Sequence, residues 1–238
     1  VSTDKAVRPA NLMGASKSFM ERILLQNADN VPFSSARFAN VAFSDGSLLH
    51  GFRYRLQKKQ PLSAPSDVLR YFISPQEAGQ LCLIGCFCCG NREIVYPKFE
   101  PTSDMMTFAE IACTFLRSQG YEPLECASAE EARDIAEHLP DDPKEWPCHF
   151  TVSDTTGEKP YEEFVHPSET VDDTRFENVG IVTKPTEGNK AELLSTIDSL
   201  RALRKGKKWN HAELSKLVSN AVPELEHVVT GKNLDYKM

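Results

Sequence analysis

Near the start of the chain a hydroxyl, a carboxyl and an amine stand in line as Thr3, Asp4 and Lys5, and a second amine, Lys17, follows four residues after Met13. These side-chain types pass protons. A carboxyl beside a lysine is a workable acid once desolvated, and an amine whose pKa is lowered by burial or a cationic neighbour is a workable base. A thioether does neither, so Met13 can shape a pocket but cannot accept a proton. Each residue also has an ordinary reading: Asp4 and Lys5 as a surface ion pair worth about 0–1 kcal/mol, Lys17 as a solvated helix residue, Met13 as core.

The surrounding residues say how such a group would be held. Val1, Ser2 and Thr3 suit a strand, and the charges at Asp4 and Lys5 place its end there, at the carboxyl edge where open α/β sheets bind ligands. Pro9 and Asn11 introduce a helix with an apolar stripe and Gly14 as its one breaker, which puts Met13 and Lys17 on one face. Alternating patterns downstream predict a strand near Ser35–Ala39, a helix from about Ser47 to Lys59, an extended piece near Leu62 and a helix from Pro75 to about Phe87. Strand Glu93–Tyr96, helix Thr107–Gln119, a strand near Glu122–Cys126 and an acidic helix from Ser128 to His138 follow. Pro140, Pro143 and Pro147 mark a loop leading to an extended His149–Ser153, and Asn178–Thr183 reads as a further strand. Two amphipathic helices, about Lys190–Lys205 and His211–Val222, close the chain. The stripe Leu193, Leu194, Ile197, Leu200 and Leu203 reads as a surface packed on its own domain or on a second subunit.

Composition bounds the partners. A length of 238 residues with 40% hydrophobic content allows one large or two modest domains. The net charge of −7, without a dense Lys/Arg patch, argues against nucleic acid as the principal partner. No apolar run is long enough to span a membrane and no signal-peptide pattern is present. Seven cysteines at irregular spacing do not form a disulfide framework. Cys82, Cys86 and Cys89 are expected on one buried helical face together with Cys88 nearby, as small hydrophobes rather than metal ligands, which implies a reducing cytoplasm. No metal site is expected.

The run Ser2, Thr3, Asp4, Lys5, Ala6, Val7, Pro9, Asn11, Met13, Gly14, Ala15 and Lys17 resembles the active-site strand and helix of extended short-chain dehydrogenases/reductases. More narrowly, it is similar to the nucleotide-sugar 4,6-dehydratases of polysaccharide biosynthesis, in the subgroup with Met where most relatives carry Tyr. The stretch 35–47, with Arg37, Phe38 and Asn40 before a Ser/Gly turn, resembles the family's next strand and loop. Residues 69–78 resemble the stretch in which an arginine approaches the nucleotide. Thr156 to Glu163 resemble a substrate-domain turn, although Thr155-Thr156 stand where Arg-Pro usually precedes it. The resemblance covers roughly residues 1–185 and thins out beyond Lys184.

It implies an α/β fold: the carboxyl-terminal part of a Rossmann-like doubly wound sheet with a smaller α/β substrate-binding domain over 1–185, then a helical tail over 186–238. It implies conversion of UDP-N-acetylglucosamine to a 4-keto-6-deoxy sugar with NAD or NADP. Catalytic roles fall on Lys5 (base at C5), Asp4 (acid at O6), Thr3 (relay at O4), Lys17 (nicotinamide ribose and positive potential) and Met13 (pocket wall). Ser2, Lys17 and Phe38 would face the cofactor, and Asn40, Ser47, Arg70, Glu158 and Lys159 the nucleotide sugar. A homo-oligomer is expected. The Gly-rich turn that cradles a dinucleotide pyrophosphate is absent from these residues, so the chain is expected to be part of a larger enzyme and to bind NAD(P) weakly alone. An epimerase or reductase of the same fold, or a non-catalytic interaction subunit, are the competing readings.

Overall fold

The computed structural model describes residues 1–154, 159–185, 187–206 and 209–226. The chain forms two compact units, one from Val1–Ala39, Glu77–Phe99 and Thr155–Met238, the other from Asn40–Gln76 and Glu100–Asp154.

The first unit is built on a five-stranded sheet in the order Ser2–Thr3, Ser35–Phe38, Ile94–Pro97, Val179–Lys184, Thr170–Asp172. The first three strands pair in parallel, and the last two join by antiparallel pairing. Ile94, Val95, Ile181 and Val182 are fully buried, as central strands covered on both faces must be. Asn11 starts the Leu12–Gln26 helix by accepting a hydrogen bond from the Gly14 amide at 2.9 Å, which satisfies one of the unpaired first-turn donors. The tail helices, Lys190–Gly206 and His211–Ala221, pack with it around Ala15, Leu193, Ala221 and Val222. Arg22 tightens that seam by donating to the Ala221 carbonyl and pairing with Glu224.

One expectation about this unit fails. The Pro75–Cys88 helix buries Ala78, Leu81 and Gly85, while Cys86 and Cys88 are exposed and Cys82 and Cys89 half-buried. Its sequence is apolar nearly all round, so periodicity could not choose the inner face; close approach to Ser35 and Val95 at Gly85 did. In the tail, the helix seats on Leu193 of the leucine stripe together with Thr196, while Leu194 is 53% exposed.

The second unit has a three-stranded parallel sheet ordered Leu62–Pro65, Glu145–Thr151, Glu122–Glu125. Its helices are Leu48–Gln57, Phe108–Ser118 and Ala129–Glu137. Phe52, Leu62, Ala112, Phe115, Leu116, Trp146 and Cys148 make the core, each large side chain contributing about 1.5–3 kcal/mol by leaving water. Thr107 and Glu110 form a reciprocal capping box at the second helix. The middle strand begins at Glu145, earlier than the proline-marked loop suggested. Pro147 is tolerated because pairing with Leu62–Pro65 starts only at Cys148, so the missing amide costs no ladder bond on that side.

All seven cysteines are free thiols, and among the described residues no group of His, Cys, Asp and Glu is placed to hold a metal ion. Burial pushes the Cys148 thiol up to about 12 and raises Cys126 as well, which suppresses the reactive thiolate. Ellman's reagent should therefore label Cys86 and Cys88 first in the native protein and reach Cys126 and Cys148 only after denaturation. Mass mapping of the labelled peptides checks the order.

Candidate functional site

Thr3 ends the first strand and caps a 3-10 turn over Asp4–Ala6, its Oγ1 donating to Asp4 Oδ1 at 2.8 Å and accepting from the Lys5 amide at 3.4 Å. Lys5 gives the same carboxylate oxygen two further bonds, from its amide at 2.8 Å and its ammonium at 3.0 Å. Asp4 Oδ1 thus receives three donors, whereas its Oδ2 is buried with no hydrogen-bond partner among the described residues. The pair is one-sided: the Asp4 side chain is 1% exposed and that of Lys5 27%.

The turn can sit against the helix because residue 14 lacks a side chain. A Cβ there would lie 2.6 Å from the Lys5 carbonyl oxygen and 3.2 Å from Pro9 Cβ. Sequence reasoning treated Gly14 as a breaker; a glycine inside an otherwise helical pattern was the available sign of a close backbone approach. From the far side, the Lys159 ammonium donates to the Arg8 carbonyl at 3.1 Å and the Val7 carbonyl at 3.4 Å, and pairs with Glu162 at 2.7 Å. Arg8 occupies the left-handed region at φ 47°, a conformation costing about 1–3 kcal/mol that surrounding contacts must hold.

Neighbouring strands bring more of the expected residues together. Ser2 pairs with Arg37 and Thr3 with Phe38 in parallel register, so Thr3 and Phe38 end adjacent strands. Ser2 Oγ is buried and lacks a hydrogen-bond partner among the described residues. Met13 is 51% exposed rather than core, and Lys17, one turn on, is exposed too. Arg37 is not a ligand-facing cation. Its guanidinium bonds Glu21 at 3.1 and 2.7 Å, Glu169 at 2.7 and 2.8 Å, and the Phe164 carbonyl at 2.8 Å. Burial works against its charge, but Glu21 and Glu169 outweigh that and hold its pKa above the ordinary arginine value.

The remaining expected residues belong to the second unit or lie outside the described residues, as Glu158 does. Ser47 caps the Leu48–Gln57 helix, accepting from the His50 amide at 3.3 Å. Asn40 donates to the Tyr71 carbonyl at 3.1 Å. Arg70 is 4% exposed, donates to the Leu69 carbonyl at 2.8 Å and lies 5.5 Å from the Phe108 ring centroid. Each of the three has a structural partner within its own unit.

A family model described as "Polysaccharide biosynthesis protein" matches residues 1–184. The chain is similar to the "Probable polysaccharide biosynthesis protein EpsC" of Bacillus subtilis (strain 168), 28% identical over 207 residues, which cover 85% of this chain and 30% of that protein. It is 29% identical over 116 residues to a UDP-glucose 4-epimerase of Rickettsia bellii, covering 46% of this chain and 34% of the epimerase. The chain spans about a third of the length of these curated relatives. The solved structure of Pen from Bacillus thuringiensis superposes with a TM-score of 0.56 at 17% identity, over 84% of this chain and 61% of that one. That likeness is one of fold, a Rossmann-like α/β architecture.

Two substitutions probe the frame of the site. Gly14→Ala gains about 1 kcal/mol of helix propensity but forces the Lys5 backbone away, at a cost of about 1–3 kcal/mol, so the urea midpoint should fall. Glu21→Gln leaves a buried guanidinium with one carboxylate. Breaking such a pair costs about 3–5 kcal/mol, and calorimetry should show a large loss of Tm.

Proposed function

Because the chain belongs to the polysaccharide biosynthesis protein family over residues 1–184, we propose that it works as an NAD(P)-dependent nucleotide-sugar 4,6-dehydratase on UDP-N-acetylglucosamine. The observation that supports this reading best is the one-sided Asp4–Lys5 pair, with its ammonium at the surface and an unpartnered carboxylate oxygen behind it. An epimerase has no elimination to perform and less use for such a pair.

Bound dinucleotide supplies the acceptor for hydride from sugar C4 and the donor that returns it at C6. The residues present suit its nicotinamide-ribose end: Lys17 offers an exposed ammonium, Ser2 a buried hydroxyl without a partner, and Phe38 flanks Thr3 where adjacent parallel strands end. No Gly-rich pyrophosphate turn lies within the 238 residues.

The protons then balance among the chain's own groups. Met13 cannot take the O4 proton. Thr3 can pass it on, because its hydroxyl already donates to Asp4 at 2.8 Å. Asp4 takes it up at Oδ1, the oxygen to which Thr3 donates, and delivers it to O6 as the C6 hydroxyl departs as water. Lys5, in its neutral form, removes the C5 proton and gives it back as hydride reaches C6. The substrate loses one water, and neither residue is consumed. Within the first unit, contacts to the nucleotide sugar are assigned to Glu158 and Lys159.

The second reading, a nucleotide-sugar epimerase, is favoured by the likeness to UDP-glucose 4-epimerase. Mass spectrometry separates the two, since epimerisation leaves mass unchanged. The assay takes the longest natural polypeptide carrying these residues, with UDP-N-acetylglucosamine and NAD(P). Formation of a 4-keto product lighter by one water is expected, and Lys5→Ala and Asp4→Asn should each slow it by on the order of 10²–10⁴. Parental rates in both variants would sink the assignment.

A further inference from the structure

The Lys190–Gly206 helix turns one side inward on Leu193 and Thr196 and leaves the other in water. Its outward carboxyl-terminal end is cationic: Arg201 is 72% exposed, and Arg204 and Lys205 are exposed without an ion pair among the described residues. Three residues past the helix, Trp209 holds an indole that is 61% exposed. In sequence, Arg201, Arg204, Lys205, Lys207 and Lys208 place five cations and no acid between 201 and 208. The chain as a whole carries −7, so the sign of the charge inverts locally, a feature the whole-chain balance concealed.

Helix chemistry explains part of this. Cations in a last turn offset the carbonyl dipole by about 0.3–1 kcal/mol, which accounts for Arg204 or Lys205. Arg201 pairs with Asp198 at 3.3 Å, an exposed contact of little strength. Neither effect accounts for a large indole left in water four positions after Lys205. An amphipathic ring flanked by lysine and arginine is the composition that settles at the headgroup level of an anionic bilayer, with the ring in the interface and the cations against phosphate. Single-stranded nucleic acid calls for a basic groove with several stacking rings, and this end offers one ring on a chain of net negative charge.

We propose that the end of this tail helix, Arg201, Arg204, Lys205 and Trp209, docks the protein on an anionic phospholipid surface. The attraction is electrostatic and falls off within a Debye length of about 8 Å at physiological salt.

The test uses the full chain with vesicles of phosphatidylcholine alone or mixed with about one third phosphatidylglycerol, the anionic fraction supplying the field. The protein has two tryptophans, and Trp146 is 3% exposed, so a blue shift of emission reports Trp209. The shift and co-sedimentation are expected with the anionic vesicles only, and both should fade as salt rises. Each cation removed should weaken binding about fivefold. Arg201→Gln, Arg204→Gln and Lys205→Gln together should weaken it on the order of a hundredfold, with an unchanged melting curve. Equal binding to neutral vesicles, no binding to either, or parental binding by the triple variant overturns the proposal. So does retention by single-stranded RNA with no vesicle association, which assigns the patch to nucleic acid. The salt titration of the unmodified protein decides the matter even if a variant misfolds.

Discussion

Arg37, 2% exposed, reaches from its strand to Glu21 on the Leu12–Gln26 helix and to Glu169 in the segment after Phe164. A buried cation with two carboxylates is tolerated because nearly every polar atom is matched in bidentate geometry. Removing any member strands the others in a low-dielectric interior, so the network specifies one arrangement more than it adds net stability. Glu21 lies one turn beyond Lys17, itself one turn beyond Met13. Anchoring Glu21 inward therefore fixes the rotation of the helix about its axis, and with it where Met13 and Lys17 point.

The turn carrying Asp4 and Lys5 is fixed by different forces on its several sides. Thr3 and the Lys5 amide converge on one carboxylate oxygen, Gly14 lets a helix come within backbone contact, and Lys159 holds the carbonyls at the turn's exit. The first is electrostatic, the second steric, and the third restrains a left-handed residue at Arg8. Holding a reactive pair in one geometry is the main contribution a scaffold makes to proton transfer. Lys159, expected from sequence as a substrate contact, also braces the turn.

Local chemistry made much of this legible. Capping residues Asn11, Ser47, Thr107 and Ser128 stand where the helices begin, because unpaired first-turn amides select short polar side chains. Short apolar, β-branched runs found the buried strands. What failed depended on tertiary choice: which face of the uniformly apolar Pro75–Cys88 helix would turn inward, and whether Pro147 could enter a strand. The residues of the catalytic run were visible as a group. Their partners were not, since Glu169 and Lys159 lie more than a hundred positions from the residues they hold.

The chain passes from the first unit into the second at Asn40, returns at Glu77, leaves at Glu100 and comes back at Thr155. This interleaving imposes an order of assembly on a chain made from its amino end. The second unit has all three sheet strands once Thr151 is in place, whereas the first must wait for Val179–Lys184 to cover Ile94–Pro97. Pairings between strands so distant in sequence form slowly, and until this one forms Ile94–Pro97 keeps an open edge on that side, the kind of edge on which a partly made protein aggregates.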